Sequence, residues 1–122
     1  MRKDTKTAPY KVILTARAIT DLRGIELFSI AKWGKKTAEK YLLKFEKAFT
    51  LFQTNPLILI SNEALSSELL FYRVEKHLIA CVRVQQKIVV LTIVHANRDL
   101  VSFLHELTPT LSKEIQFLLR KI

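Results

Sequence analysis

Two long runs with apolar stripes meet at Trp33-Gly34-Lys35 with almost nothing between them, and that junction constrains the fold more than any other feature. Upstream, Ile19, Leu22, Ile25 or Glu26, and Ile30 or Trp33 recur at spacings of three and four, the face of a helix from Ala16 to Trp33. Thr15 can cap its start, and Gly34 supplies a left-handed stop at its end. Downstream, Ala38, Tyr41, Leu42, Phe45, Ala48, Phe49 and Phe52 form a wide stripe on a second helix, Lys35 to Thr54, which Asn55-Pro56 ends. Helices joined this tightly fold back as an antiparallel hairpin. Its stripes then need another layer to cover them.

The cover is read from the flanking segments. Tyr10 to Thr15 is short and β-branched, a first strand. Leu57 to Leu65 reads as a loop with a turn at Ser61-Asn62. Glu68–Val74, His77–Val84 and Lys87–His95 follow, separated only by Glu75-Lys76 and Gln85-Gln86, and predict a three-stranded antiparallel meander. Ile88 to Val94 is apolar without alternation, so both faces of that strand should be covered and the strand central. From Asp99 the period is helical again, with Leu100, Phe103, Leu104 and Leu107 in one set. Thr108-Pro109 then reads as the cap and first turn of a final helix carrying Leu111, Ile115, Leu118, Leu119 and Ile122. That helix either covers the domain's own apolar surface or forms a homodimer seam. The expected class is α+β: an N-terminal strand, an α-helical hairpin, a three-stranded antiparallel meander and C-terminal helices, with the helices on one face of the sheet.

The length of 122 residues predicts one domain, with a core over about residues 10–105 and a C-terminal helical extension over 106–122. Only 2 glycines and 3 prolines leave no material for a phosphate-cradling or dinucleotide-binding loop. Cys81, the single cysteine, sits in the apolar run Leu78–Val82; it reads as a buried thiol, and no internal disulfide is possible. No segment approaches the roughly 20 apolar residues that span a bilayer, and no secretory apolar stretch follows the basic start Met1–Lys6. A cytoplasmic protein with no membrane partner is expected. No His, Cys, Asp or Glu grouping has metal-ligand spacing, so neither metal nor other cofactor is expected. The net charge of +9 suits an anionic mate, whether nucleic acid or an acidic protein.

The order of elements and several local strings resemble the RelE/ParE toxin superfamily. Tyr10–Ala18, then Asp21-Leu22 and Ile25, look like its opening strand and first helix. Trp33-Gly34, Ala38 and Tyr41 match its interhelix turn and second helix. His77-Leu78-Ile79 and Lys87–His95 look like its final hairpin, and His95-Ala96-Asn97-Arg98-Asp99 resembles the His-x-x-Arg-Asp string that follows the last strand in ParE-type members. One departure is plain: where many ParE-type chains carry a Leu-Arg pair, this chain has Leu69-Leu70, with Arg73 three residues on.

The resemblance implies the toxin of a type II toxin–antitoxin system, neutralised by a cognate antitoxin that is acidic and DNA-binding. A ParE-like toxin would inhibit growth by binding an essential target such as DNA gyrase. A RelE-like one would be a ribosome-dependent, metal-independent mRNA endonuclease, and a decayed member would act only as a binding module. Metal-free RNA cleavage needs a base, an acid and a cation on the phosphorane. Arg73, His77, Arg83, His95 and Arg98 are the catalytic candidates, because strand alternation could bring some of them to one sheet face. Lys36, Lys40, Lys44 and Lys47 recur on one face of the second helix and are the candidate partner-binding row, against the plainer reading of a solvated helix back.

Overall fold

A computed structural model describes residues 9–121; the side chains at 67 and at several positions from 108 onward lie outside that description. The elements run β1 (Lys11–Leu14), α1 (Ala16–Trp33), α2 (Lys35–Thr54), a 3-10 turn (Pro56–Ile58), β2 (Ile60–Asn62), β3 (Ser66–Val74), β4 (His77–Val84), β5 (Lys87–His95) and α3 (Leu100–Lys121). The strands form one sheet in the order β1-β5-β4-β3-β2.

The helical hairpin forms as the sequence predicts. Thr15 caps α1, its Oγ1 accepting from the Ala18 N–H at 3.0 Å. Gly34 adopts φ 92° at the junction, donates to the Ile30 carbonyl at 2.9 Å and accepts from the Ala38 N–H at 3.1 Å. A side chain at that φ would be strained, so the tight reversal depends on glycine. The α2 stripe is buried at Ala38, Phe45, Ala48 and Phe52. On α1 the inward face differs from the predicted one. Ala18 and Ser29 are buried, with Leu22 and Ile25 half-buried between them, while Ile19, Ile30 and Trp33 are exposed. Small residues let α1 lie close to β5; larger ones at those positions would hold it off.

The β3-β4-β5 meander has the expected antiparallel pairing, with Glu75 and Gln85 taking φ of 54° and 56° in its turns. β1 joins in parallel beside β5, Lys11 opposite Lys87 and Leu14 opposite Val90. The predicted loop with a turn at Ser61-Asn62 is instead a 3-10 turn and an edge strand, β2, paired antiparallel with β3. Three exposed residues carry too little alternation to announce a strand.

The sheet has a core on each side. Phe45, Phe52, Ile79, Ile88, Val90 and Ile93 pack under the helical hairpin. Leu69, Phe71, Val89, Leu91, Phe103 and Leu104 pack on the opposite face. The expectation that all helices share one face is therefore corrected: α3 covers the other. This is why β5, inside the sheet between β1 and β4, is apolar on both sides. The expected pair of C-terminal helices is one continuous helix with Pro109 in its interior. Proline removes one N–H and strains a single turn, whereas the apolar repeat of Leu100, Leu104, Leu107, Leu111 and Ile115 keeps its phase across it. The expectation that Leu111, Ile115, Leu118, Leu119 and Ile122 cover the domain's surface lies outside the described side chains.

One irregularity positions the site. In the β4–β5 ladder Ala80 faces Thr92 but Cys81 faces Val90, so β5 carries an extra residue. Such a bulge resets strand alternation. Ile88 and Val90 point to the hairpin, and beyond the bulge so does Ile93. β1 ends opposite Val90, leaving the rest of β5 an open edge that α1 covers. Thr15 N–H donates to the Val90 carbonyl at 3.1 Å, and Thr15 Oγ1 donates to the Leu91 carbonyl at 2.9 Å. Asp21 Oδ2 accepts from Thr92 Oγ1 at 2.6 Å and from the Ile93 N–H at 2.9 Å.

Thr15→Val keeps the shape but strands the Leu91 carbonyl and the Ala18 N–H in a buried site. It should cost about 2 kcal/mol in urea unfolding, with Thr15→Ser restoring most of that. Gln85→Gly should raise stability by about 0.5–1 kcal/mol in the same assay, by relieving the left-handed turn residue.

Candidate functional site

The bulge brings two of the predicted residues together. His77 opens β4 and His95 closes β5 directly opposite it. Their rings pack edge to face with centroids 5.1 Å apart. The Tyr41 hydroxyl of α2 lies 2.8 Å from His77 Nδ1, and the Tyr41 and Phe45 rings flank the same imidazole at 5.9 Å each. Burial pushes the His77 pKa below the ordinary imidazole value, and the neighbouring His95 pushes it further the same way. Burial raises Tyr41 above the usual phenol value, with Glu75 adding to the effect and a Lys76 backbone hydrogen bond and Lys44 opposing it. Near neutral pH this is an uncharged Tyr–His pair at the floor of a cleft.

That cleft, about 470 Å3, runs between α1, the end of β5 and the start of α3. One wall is aromatic: Phe28 meets Trp33 edge to face, Trp33 tilts against Tyr41, and Lys32 lies over both Phe28 and Trp33. The other wall is cationic. The Arg98 guanidinium stacks 3.8 Å above the Phe103 ring centroid, and that of Arg17 lies 5.6 Å from the same centroid. Arg17 Nε is buried without a hydrogen-bond partner among the described residues. Asp21 also lines the cleft, its carboxylate engaged by the bulge. His77, His95 and Arg98 of the predicted catalytic set therefore share one cleft.

Arg73 and Arg83 do not reach it. Arg73 lies across from Leu78, donates from Nε to the Glu75 carbonyl at 2.7 Å, and lines a separate hollow with Lys44 and Lys47. Arg83 sits at the far end of β4 beside Tyr10 and Pro56. Six residues of strand, about 20 Å, separate it from His77. Lys36, Lys40, Lys44 and Lys47 are exposed along α2, and Lys44 is taken up by a 2.6 Å ion pair with Glu75. Among the described residues no three His, Cys, Asp or Glu side chains gather as a metal site would require. Burial pushes the Cys81 thiol up, which leaves it inert.

The family model described as the ParE toxin of type II toxin–antitoxin system, parDE, matches residues 12–100. The chain belongs to the ParE toxin family. A curated relative, Toxin ParE of Escherichia coli, is 30% identical over 91 residues, which is 74% of this chain and 88% of that protein. A solved chain of the chromosomal ParDE toxin–antitoxin system from P. aeruginosa superposes with a TM-score of 0.65 at 14% identity, covering 75% of this chain and 100% of that one. A chain of the toxin–antitoxin complex RelBE2 from Mycobacterium tuberculosis superposes at 0.51 with 21% identity, over 77% of this chain and 100% of its own. Those two likenesses establish the shared RelE/ParE fold.

In this ParE-family chain the sequence reading missed Arg17, Trp33, Tyr41 and Lys76 as cleft residues. Tyr41 was legible as one member of an apolar stripe and Trp33 as a packing residue of α1, both also within the strings that resemble the family, but neither as a neighbour of His77. Arg17 offered a signal, a cation one position from the buried Ala18, but its meeting with Phe103 depends on α3 wrapping to the other face of the sheet.

The His77 shift has a testable consequence. Its folded pKa lies below the unfolded one, so the unfolded chain binds more protons in the window just beneath pH 6.5. The stabilisation is complete above the unfolded pKa and is lost as pH falls through the folded one. Thermal midpoints should therefore drop between pH 7 and pH 5, and His77→Gln should flatten that part of the profile.

Proposed function

We propose that this chain is the growth-inhibiting toxin of a type II toxin–antitoxin system, acting in the ParE manner by binding an essential target such as DNA gyrase, and held inactive by a cognate antitoxin. The observation that carries the binding mode is the state of the two histidines. A base and an acid for in-line RNA cleavage must stand on opposite sides of one phosphorus. His77 and His95 instead pack against each other, and His77 is fixed by Tyr41. Arg73 and Arg83, which would have supplied charge to such a centre, lie elsewhere on the sheet.

The antitoxin follows from kinship, since relatives of this fold have been solved as toxin–antitoxin systems, and its acidic character from charge, since a net +9 favours an acidic partner; that it also binds DNA is what the family resemblance implies. The exposed lysines of α2 are a second surface such a partner could use. A cytoplasmic site of action fits helices none of which, among the described residues, is long and apolar enough to cross a membrane. A single folding unit fits the continuous five-stranded sheet that spans Lys11 to His95.

A RelE-like endonuclease is the second reading. It is favoured by exposed His95 standing with Arg98 at the cleft rim.

Induction in growing cells separates the readings. Growth arrest with an SOS response and intact transcripts is expected. Arrest with mRNA cut at translated codons would establish the endonuclease instead, and unaffected growth would leave a non-toxic binding module. Replacing Lys36, Lys40, Lys44 and Lys47 together by Glu should weaken antitoxin rescue; rescue and toxicity at wild-type levels would remove that row from the partner surface.

A further inference from the structure

We infer that the outer face of α1 is a seam on which two copies of this chain pair antiparallel, each presenting Ile19, Arg23, Glu26 and Ile30 to the same four residues of the other. The seam lies outside the cleft, and it holds whether or not the chain arrests growth.

The four residues read the same from either end. Their spacings are four, three and four, which sets them in one row along about three turns of helix. Ile19 and Ile30 are 55% and 36% exposed at the ends of the row. Arg23 and Glu26 are exposed between them, and neither makes an ion pair with another described residue. A two-fold axis passing between Gly24 and Ile25 lays the row on its own reverse. Ile19 of one copy then meets Ile30 of the other, and Arg23 meets Glu26, each contact made twice as a two-fold interface requires. The same spacing is that of alternating core positions in a two-helix seam. Two Arg–Glu layers are thus enclosed by two isoleucine layers. Parallel pairing in register would set Arg23 against Arg23 and Glu26 against Glu26, so the charges choose the antiparallel orientation.

The surroundings favour a second copy over a nucleic acid or an acidic protein. A net charge of +9 makes most of this surface repel its own kind. Beside the row lies a hollow of about 300 Å3 closed by Leu42 and Glu46 of α2, where Glu26 and Glu46 stand against one cation, Arg23. Repulsion between copies is least here, and a phosphate backbone or an acidic segment would meet two carboxylates. Ile19, Leu22 and Leu42 supply the apolar lining of the hollow, which α1 of a second copy can fill. Phe28 of the cleft lies nine residues from Ile19, two and a half turns round the helix. The seam therefore faces away from the cleft and leaves it open in both copies.

Sedimentation equilibrium of the full chain at micromolar to near-millimolar concentration tests the seam. Two helices bury little area, so reversible dimerisation in the micromolar range is expected. Arg23→Glu and Glu26→Arg each set like charges against one another, and each should weaken self-association at least tenfold. An equimolar mixture of those two variants should dimerise as the wild type does, because every carboxylate again faces a guanidinium; so should the chain that carries both changes. Ile30→Ser removes an outer layer without touching the charges and should weaken pairing as well. The substituted positions are exposed, and thermal midpoints check that each variant keeps its fold. A wild-type chain that stays monomeric, single variants that pair as well as the wild type, or a mixture that fails to recover would overturn the inference. So would a monomeric wild type that binds an acidic peptide through Arg23, which would assign the face to that partner.

Discussion

The open edge of β5 is where this molecule is assembled. A strand edge buried without partners for its N–H and C=O groups would cost several kcal/mol. β1 covers only the first part of it, and two side chains of the α1 region cover the rest. Thr15 ties the Leu91 carbonyl to the start of α1, and Asp21 ties Ile93 nearly two turns further along the helix. These bonds fix how close α1 lies to the sheet, and hence the width of the cleft above it. They also hold the bulge that turns His95 toward His77. A single set of hydrogen bonds thus sets the helix, the strand and the floor of the site.

The sheet's two-sided burial explains the remaining architecture. With aliphatic residues on both faces, β5 must be covered above and below, and the hairpin can serve only one side. α3 supplies the other through Phe103 and Leu104. The family match ends at residue 100, where α3 begins, so the ring beneath Arg98 and Arg17 comes from beyond the matched segment. His77 and His95 of this chain therefore lie within the matched segment, while the cationic wall is completed by a helix lying past that match.

Much of this was legible in the sequence, for identifiable reasons. Gly34 and Thr15 act locally, through a permissive φ and a short hydroxyl, so the hairpin and its cap could be read directly. The meander declared itself through long β-branched runs separated by two residues. What could not be read depended on partners distant in sequence. The extra residue in β5 has no compositional mark, yet it decides the face on which His95 lies. The inward face of α1 turned on two small residues, Ala18 and Ser29, which a search for large apolar side chains passes over. Pro109 looked like a helix start because its local cost was visible and the continuity of the apolar repeat across it was given less weight. Arg73 and Arg83 seemed able to join the histidines because alternation along a strand gives the face and says nothing about distance from one end to the other.

The parallel pairing of β1 with β5 has a consequence for how a cell could make such a protein. The first strand cannot find its neighbour until residues 87–90 have been synthesised, and Thr15 waits for Leu91 across 76 positions. Loop closure over that span makes completion of the sheet a late event. A nascent chain on the ribosome would hold a helical hairpin and no finished cleft until β5 and the start of α3 had followed it out.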